Sequence, residues 1–108
     1  MKQNEDKLII SSRGRIDLLN KNEIFYIHSE HRQVHIHMPC ETYSFYRTLD
    51  EVEENISDSH FMRIHKSFLI NTSFVCRIDG GTLYITTGEH LPVSRRYLTS
   101  VHRRFRAL

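Results

Sequence analysis

No run of this sequence is apolar for long enough to cross a membrane, and the opening MKQNEDK is too polar to act as a signal peptide. Glycine is scarce, four in 108 residues, and the only adjacent pair, Gly80-Gly81, lies between two β-prone runs where a hairpin turn belongs. A glycine-rich phosphate loop is therefore excluded. Cysteine is scarcer still: Cys40 and Cys76 have no CxxC spacing and read as separate, buried thiols of a cytoplasmic protein, not as a disulfide. Ser67 beside Lys66 is the nearest approach to a nucleophile. Nothing around it supplies an ordered triad or an oxyanion hole, so no enzyme is expected.

Acidic residues are rare in one half of the chain. Residues 63–108 carry eight Lys or Arg and two Asp or Glu, whereas residues 1–62 carry seven and eleven. The net charge of +2 hides this split, which points to one face that attracts a polyanion and another that does not. Repeats, low-complexity tracts and interdomain linkers are all missing. The reading is one globular domain over 1–108, with 1–7 as a flexible leader.

What is present is mostly β-periodic. Leu8–Ser11 and Arg15–Leu19 flank a turn at Arg13-Gly14, and Glu23–His28 is rich in β-branched and aromatic residues. Across Gln33–Met38, Val34, Ile36 and Met38 alternate with His35 and His37; Glu41–Phe45 alternates too. Ser29–Arg32 is a polar hairpin tip. Phe74–Ile78, Thr82–Thr86 and His90–Val93 complete the strands. Two segments change period. Leu49, Val52 and Ile56 make one apolar side of a short helix opened by the capping box Thr48…Glu51, and its acidic side is expected to pack away from any nucleic acid. Ser94 is placed to cap a final helix with the stripe Leu98, Val101, Phe105 and Leu108. The fold class is mainly β: antiparallel sheets with a short acidic helix and a C-terminal helix.

The stretch that organises the rest is Phe61–Asn71, FMRIHKSFLIN. Arg63, His65 and Lys66 cannot all enter a core that Ile64, Phe68, Leu69 and Ile70 occupy, so a turn at His65–Ser67 should present a polar tip. Arginine can give guanine two parallel hydrogen bonds, lysine one ammonium, and histidine a donor to a purine N7. Arginines and serines also suit phosphates.

This run resembles the signature of the LytTR family of bacterial DNA-binding domains, phenylalanine-arginine-x-histidine-x-serine-x-x-x-asparagine, with one residue inserted between Phe61 and Arg63. Pro92-Val93-Ser94-Arg95-Arg96-Tyr97 is similar to the segment that opens that family's last helix, and Glu23–Ile27 to the strand before its first recognition loop. The resemblance runs from about Leu8 to Phe105. It implies a cytoplasmic transcription regulator whose loops, not a recognition helix, enter successive major grooves at paired repeats of double-stranded DNA. Base contacts would come from His31, Lys66 and Arg96, and phosphate contacts from Arg32, Arg63, Ser67, Ser94 and Arg95. The same resemblance implies a preceding receiver domain and allows a dimer on DNA; an excised output domain is the favoured reading of this chain, and a small stand-alone regulator is the alternative.

Several of these residues carry a plainer reading. Arg63 can pair with an acidic neighbour, His65 can brace a loop, and Asn71 can cap a turn through its side chain. Arg103, Arg104 and Arg106 can simply solvate the last helix. His28, His31, His35, His37 and Cys40 form a cluster in sequence, but their spacing is irregular, so neither a metal nor any other cofactor is expected. The rival function is a β-rich RNA-binding or protein-interaction module. Its weakness is that the five tyrosines do not fall in one run on one strand.

Overall fold

A computed structural model describes residues 6–56 and 60–107. Ten strands and two helices follow in the order β1 (Lys7–Ser12), β2 (Arg15–Asn20), β3 (Tyr26–Glu30), β4 (Gln33–His37), β5 (Thr42–Phe45), α1 (Leu49–Ile56), β6 (Phe61–His65), β7 (Phe68–Asn71), β8 (Val75–Asp79), β9 (Thr82–Ile85), β10 (His90–Pro92) and α2 (Arg95–Arg104). All strand pairs are antiparallel: a β1–β2 ribbon, a central sheet ordered β5-β4-β3-β7-β6, and a small sheet ordered β10-β9-β8.

The period-two pattern explains why the central sheet can be covered on both sides. Ile27, Val34, Ile36 and Leu69 face a first core with Leu8, Ile10 and Leu19 of the ribbon and Leu49, Val52 and Ile56 of α1. Tyr26 and Ile70 face the other way, into a second core with Ile64, Leu83, Ile85, Leu91, Val93 and Val101. Each fully buried isoleucine or leucine here contributes about 1.5–3 kcal/mol relative to exposure. These two cores hold the sheet in place.

The capping box at α1 forms as expected: Glu51 N donates to Thr48 Oγ1 at 3.1 Å while Thr48 N donates to Glu51 Oε1 at 2.8 Å. The Glu51 carboxyl is held below its usual range first by the bond from Thr48 N and then by one from the Thr48 hydroxyl, Oγ1 to Oε1 at 3.2 Å. Asn71 caps a 3-10 turn at Thr72–Phe74, its Oδ1 accepting from Ser73 N at 3.0 Å. Ser94 occupies the N-cap position of α2 with extended backbone, but its hydroxyl makes no capping hydrogen bond. In the α2 stripe Val101 is buried and Leu98 and Phe105 pack on the second core; Leu108 lies outside the described residues.

Three expectations change. Cys40 and Cys76 are free, as expected, but exposed and not buried: Cys40 lies in the connection between β4 and β5, and Cys76 at the bulge of β8 between Val75 and Arg77. Residues 6 and 7, expected in a leader, are held in the fold: Lys7 opens β1 and the Asp6 carbonyl accepts from Lys21 N at 2.8 Å, while residues 1–5 lie outside the described part. The run Glu23–His28 begins its strand only at Tyr26, since Asn20 caps a 3-10 turn at Lys21–Glu23.

Candidate nucleic-acid interface

Three polar segments are brought together around the turn between β6 and β7. The first is the β3–β4 tip. Glu30 pairs with Gln33, leaving His31 and Arg32 as a two-residue turn with φ of 55° and 65°. Positive φ at both central positions is the type I′ pattern, for which Asn-Gly is the comfortable sequence. Two long side chains here cost of order 1–2 kcal/mol each, which the rest of the fold sustains. His31 and Arg32 are exposed, and His31 Nε2 lies 3.2 Å from Glu30 Oε2.

The second segment is the β6–β7 turn itself. A bulge between Arg63 and His65 lets Ile64 enter the second core while His65 sits edge-on to Phe68, ring centroids 5.5 Å apart. His65 Nδ1 then accepts from Ser67 N at 3.0 Å. It braces the loop, leaving Lys66 as the exposed tip. The third segment is the entrance to α2, where Arg95 and Arg96 are exposed and the Arg96 guanidinium lies 5.4 Å from the Tyr97 ring centroid.

Main-chain hydrogen bonds tie these segments to one another. Ser29 N donates to the Ser67 carbonyl at 3.0 Å, joining the first to the second. Ser94 N donates to the Ile64 carbonyl at 3.0 Å, joining the third to β6. Residues distant in sequence thus share one end of the central sheet.

Arg63 corrects the sequence reading. Its side chain is only 11% exposed, and every nitrogen of its guanidinium is engaged within the protein. Nε donates to the His65 carbonyl at 2.8 Å and Nη2 to the Lys66 carbonyl at 2.6 Å; Nη1 donates to Asp50 at 2.8 Å and Glu53 at 2.6 Å. Burial disfavours its charge, but the hydrogen bonds to the two carboxylates outweigh that and raise its pKa. Arg63 is a clamp on the turn, its guanidinium committed to partners within the protein. On the acidic side of α1, Asp50 borders a shallow groove together with His31, Arg32, Arg63 and Lys66. Arg63 neutralises that side locally. The hint in the sequence was an arginine shortly after an acidic helix, and spacing alone could not favour it over phosphate.

Behind the first segment, His28, His35 and His37 line the β3–β4 face opposite Ile27 and Ile36. His37 stacks on Tyr26 with centroids 4.2 Å apart, and His28 Nδ1 lies 2.8 Å from His37 Nε2. Burial, helped by the charges of His28 and His35 and opposed by Glu89, pushes His37 down to about 4. Burial, and then its bond to Glu89 at 2.8 Å, push the Tyr26 hydroxyl well up. An unfolded His37 takes a proton near pH 6.5 and the folded one only near 4, so stability should fall as pH drops through that window. Melting curves between pH 7 and 4 should be steeper for the natural protein than for His37→Gln; parallel curves would assign the acid sensitivity to other groups.

The amino-acid sequence matches the family described as LytTr DNA-binding domain over residues 14–106. This chain belongs to the LytTR family. LytTR relatives include the sensory transduction protein LytT of Bacillus subtilis, 30% identical over 98 residues that cover 86% of this chain and 41% of the relative. An uncharacterized response regulatory protein of Yersinia pestis is 34% identical over 96 residues, 84% of this chain and 39% of that protein. The chain thus spans about two fifths of the length of these curated relatives. The LytTr DNA-binding domain of a putative methyl-accepting/DNA response regulator from Bacillus cereus has the same fold, with a TM-score of 0.78 at 19% identity over 94% of this chain and 98% of that one. The LytTR fold expected from the sequence, mainly β with two helices, is the observed one.

Proposed function

We propose that this LytTR domain reads a specific double-stranded DNA site with the β3–β4 tip, the β6–β7 turn and the entrance to α2. His31, Lys66 and Arg96 contact base edges, while Arg32, Ser67, Ser94 and Arg95 contact phosphates. The supporting observation is the pair of main-chain bonds, Ser29 N to Ser67 O and Ser94 N to Ile64 O, that gather these segments at one end of the sheet. Loops so braced present long cationic side chains without a recognition helix, and the basic second half of the chain supplies the attraction. In this reading the domain acts in the cytoplasm as the output of a transcription regulator, joined to a receiver domain, and two copies occupy paired repeats on one face of the duplex.

Selection from a random duplex pool at moderate salt tests this. Two short enriched repeats about one helical turn apart support paired copies. Retention without a motif would reduce the interaction to phosphate binding, and preferential competition by RNA of equal length would favour the rival RNA-binding module. Within an enriched site, Arg96→Ala should relax preference at one base pair per repeat, by about 1–3 kcal/mol of discrimination. Uniform weakening across all sequences would remove Arg96 from the base contacts. Arg95→Ala should instead lower affinity evenly and reduce the slope of log K against log salt by about one. An unchanged slope would make Arg95 structural.

A further inference from the structure

His28 of β3 and His35 of β4 are direct cross-strand partners, and their rings stack with centroids 4.8 Å apart. Glu30 lies two residues beyond His28 on the same strand face and brings Oε1 to 3.3 Å from His28 Nε2. One ligand atom from each of the three residues lies within 4.8 Å of the others. Only the strand register reveals this; along the sequence the three are spaced irregularly. Each imidazole also has its second nitrogen engaged. His28 Nδ1 faces His37 Nε2 at 2.8 Å, and His35 Nδ1 faces Ser44 Oγ at 2.7 Å, while His35 Nε2 has only a long 3.4 Å approach to the Glu30 carbonyl that an ion would replace. Metal-bound histidines are usually held in this way, with one nitrogen anchored so that the other keeps its lone pair for the metal.

We propose that His28, Glu30 and His35 form a site for one divalent transition-metal ion of the zinc type, with water completing the coordination. Two imidazole nitrogens and one carboxylate suit zinc, nickel or copper; calcium and magnesium prefer oxygen-only sets. Ligands about 2.0–2.2 Å from a tetrahedral zinc stand about 3.3 Å from each other. The His28–Glu30 pair already has that separation. The His35 ligand atom lies within 4.8 Å of the other two, so a bound ion would draw this half-buried ring inward by a small shift. Glu30 is also the partner of His31, its carboxyl held below the usual range first by the His28 hydrogen bond and then by the His31 charge. On the DNA-binding reading above, a metal here would replace a negative charge beside the β3–β4 tip with a positive one and raise duplex affinity. The site itself is judged without DNA, so failure of either idea is distinguishable from failure of the other.

The experiment titrates zinc into the chelator-stripped 108-residue chain carrying Cys40→Ser and Cys76→Ser, since both thiols are exposed and would compete. Calorimetry gives stoichiometry and affinity, and imidazole NMR signals give location. Expected is one saturable equivalent that shifts the His28 and His35 resonances. His35→Gln and Glu30→Gln should each weaken it roughly tenfold or more, and His102→Gln, on exposed α2, should leave it unchanged. Absence of saturation up to about millimolar zinc, or binding that survives both substitutions, would overturn the site.

Discussion

Replacing Arg63 by alanine should destabilise the domain by about 2–4 kcal/mol and weaken specific duplex binding at least roughly tenfold. The stability loss has two parts. Asp50 is exposed and Glu53 partly so, and both recover water when the guanidinium leaves, so their share is modest. The His65 and Lys66 carbonyls lose charge-assisted bonds of 2.8 and 2.6 Å, and the void left by a side chain only 11% exposed removes packing as well. The binding loss follows from the same geometry. Without the clamp the Lys66 tip is held less firmly, and the carboxylates of Asp50 and Glu53 are left unneutralised near a phosphate backbone. Urea unfolding and duplex titrations at several salt concentrations separate this clamp from a phosphate contact. A clamp lowers affinity with little change in the salt slope; a slope lower by about one would return Arg63 to the phosphate set. Arg63→Lys should recover only part of either loss, because one ammonium cannot reach two carboxylates and two carbonyls together.

The second large effect is expected at Asn71, only 3% exposed and near the opposite end of β7 from the candidate interface. Its Oδ1 accepts from Ser73 N, and its Nδ2 donates to the Ile24 carbonyl at 3.0 Å and, more weakly, to the Lys21 carbonyl at 3.4 Å. One side chain therefore closes the turn after β7 and fixes the approach to β3. Asn71→Asp keeps the acceptor but sets a buried negative charge against two carbonyl oxygens, which should cost about 3–5 kcal/mol at neutral pH. Asn71→Ala should cost less, about 2 kcal/mol, because it leaves polar groups unpaired without adding charge. The sign of the pH dependence is diagnostic. Burial raises the pKa of the introduced carboxyl above its unfolded value, so protonation restores a donor and the deficit relative to the natural protein should shrink as pH falls toward 5. A deficit that stays constant with pH would show that the charge is not confined there.

Both residues lie in the run from Phe61 to Asn71, and they show how far that run is legible. Its turn, its apolar anchors and the capping role of Asn71 are read from residue types, because chain reversal and alternation are local properties. The loop-bracing role of His65 was one of two readings open on the same grounds, and its hydrogen bond to Ser67 N selects it. Arg63 was undecided for another reason. Whether a guanidinium meets phosphate or carboxylate depends on what packs beside it, and α1 reaches it only through the folded chain.

The amino-acid sequence by itself determined the mainly β class, the two helices, the capping box at Thr48 and the family to which the chain belongs. These rest on periodicity and motifs that neighbouring residues carry together. The tertiary structure alone decided the register that sets His28 opposite His35, the bulge at Ile64, the exposure of both cysteines and the gathering of three loops by bonds from Ser29 and Ser94. Shifting one strand by a single residue would exchange its faces and separate these partners while leaving the alternating pattern intact. Such pairings depend on contacts between residues far apart in the chain, and local periodicity does not encode them.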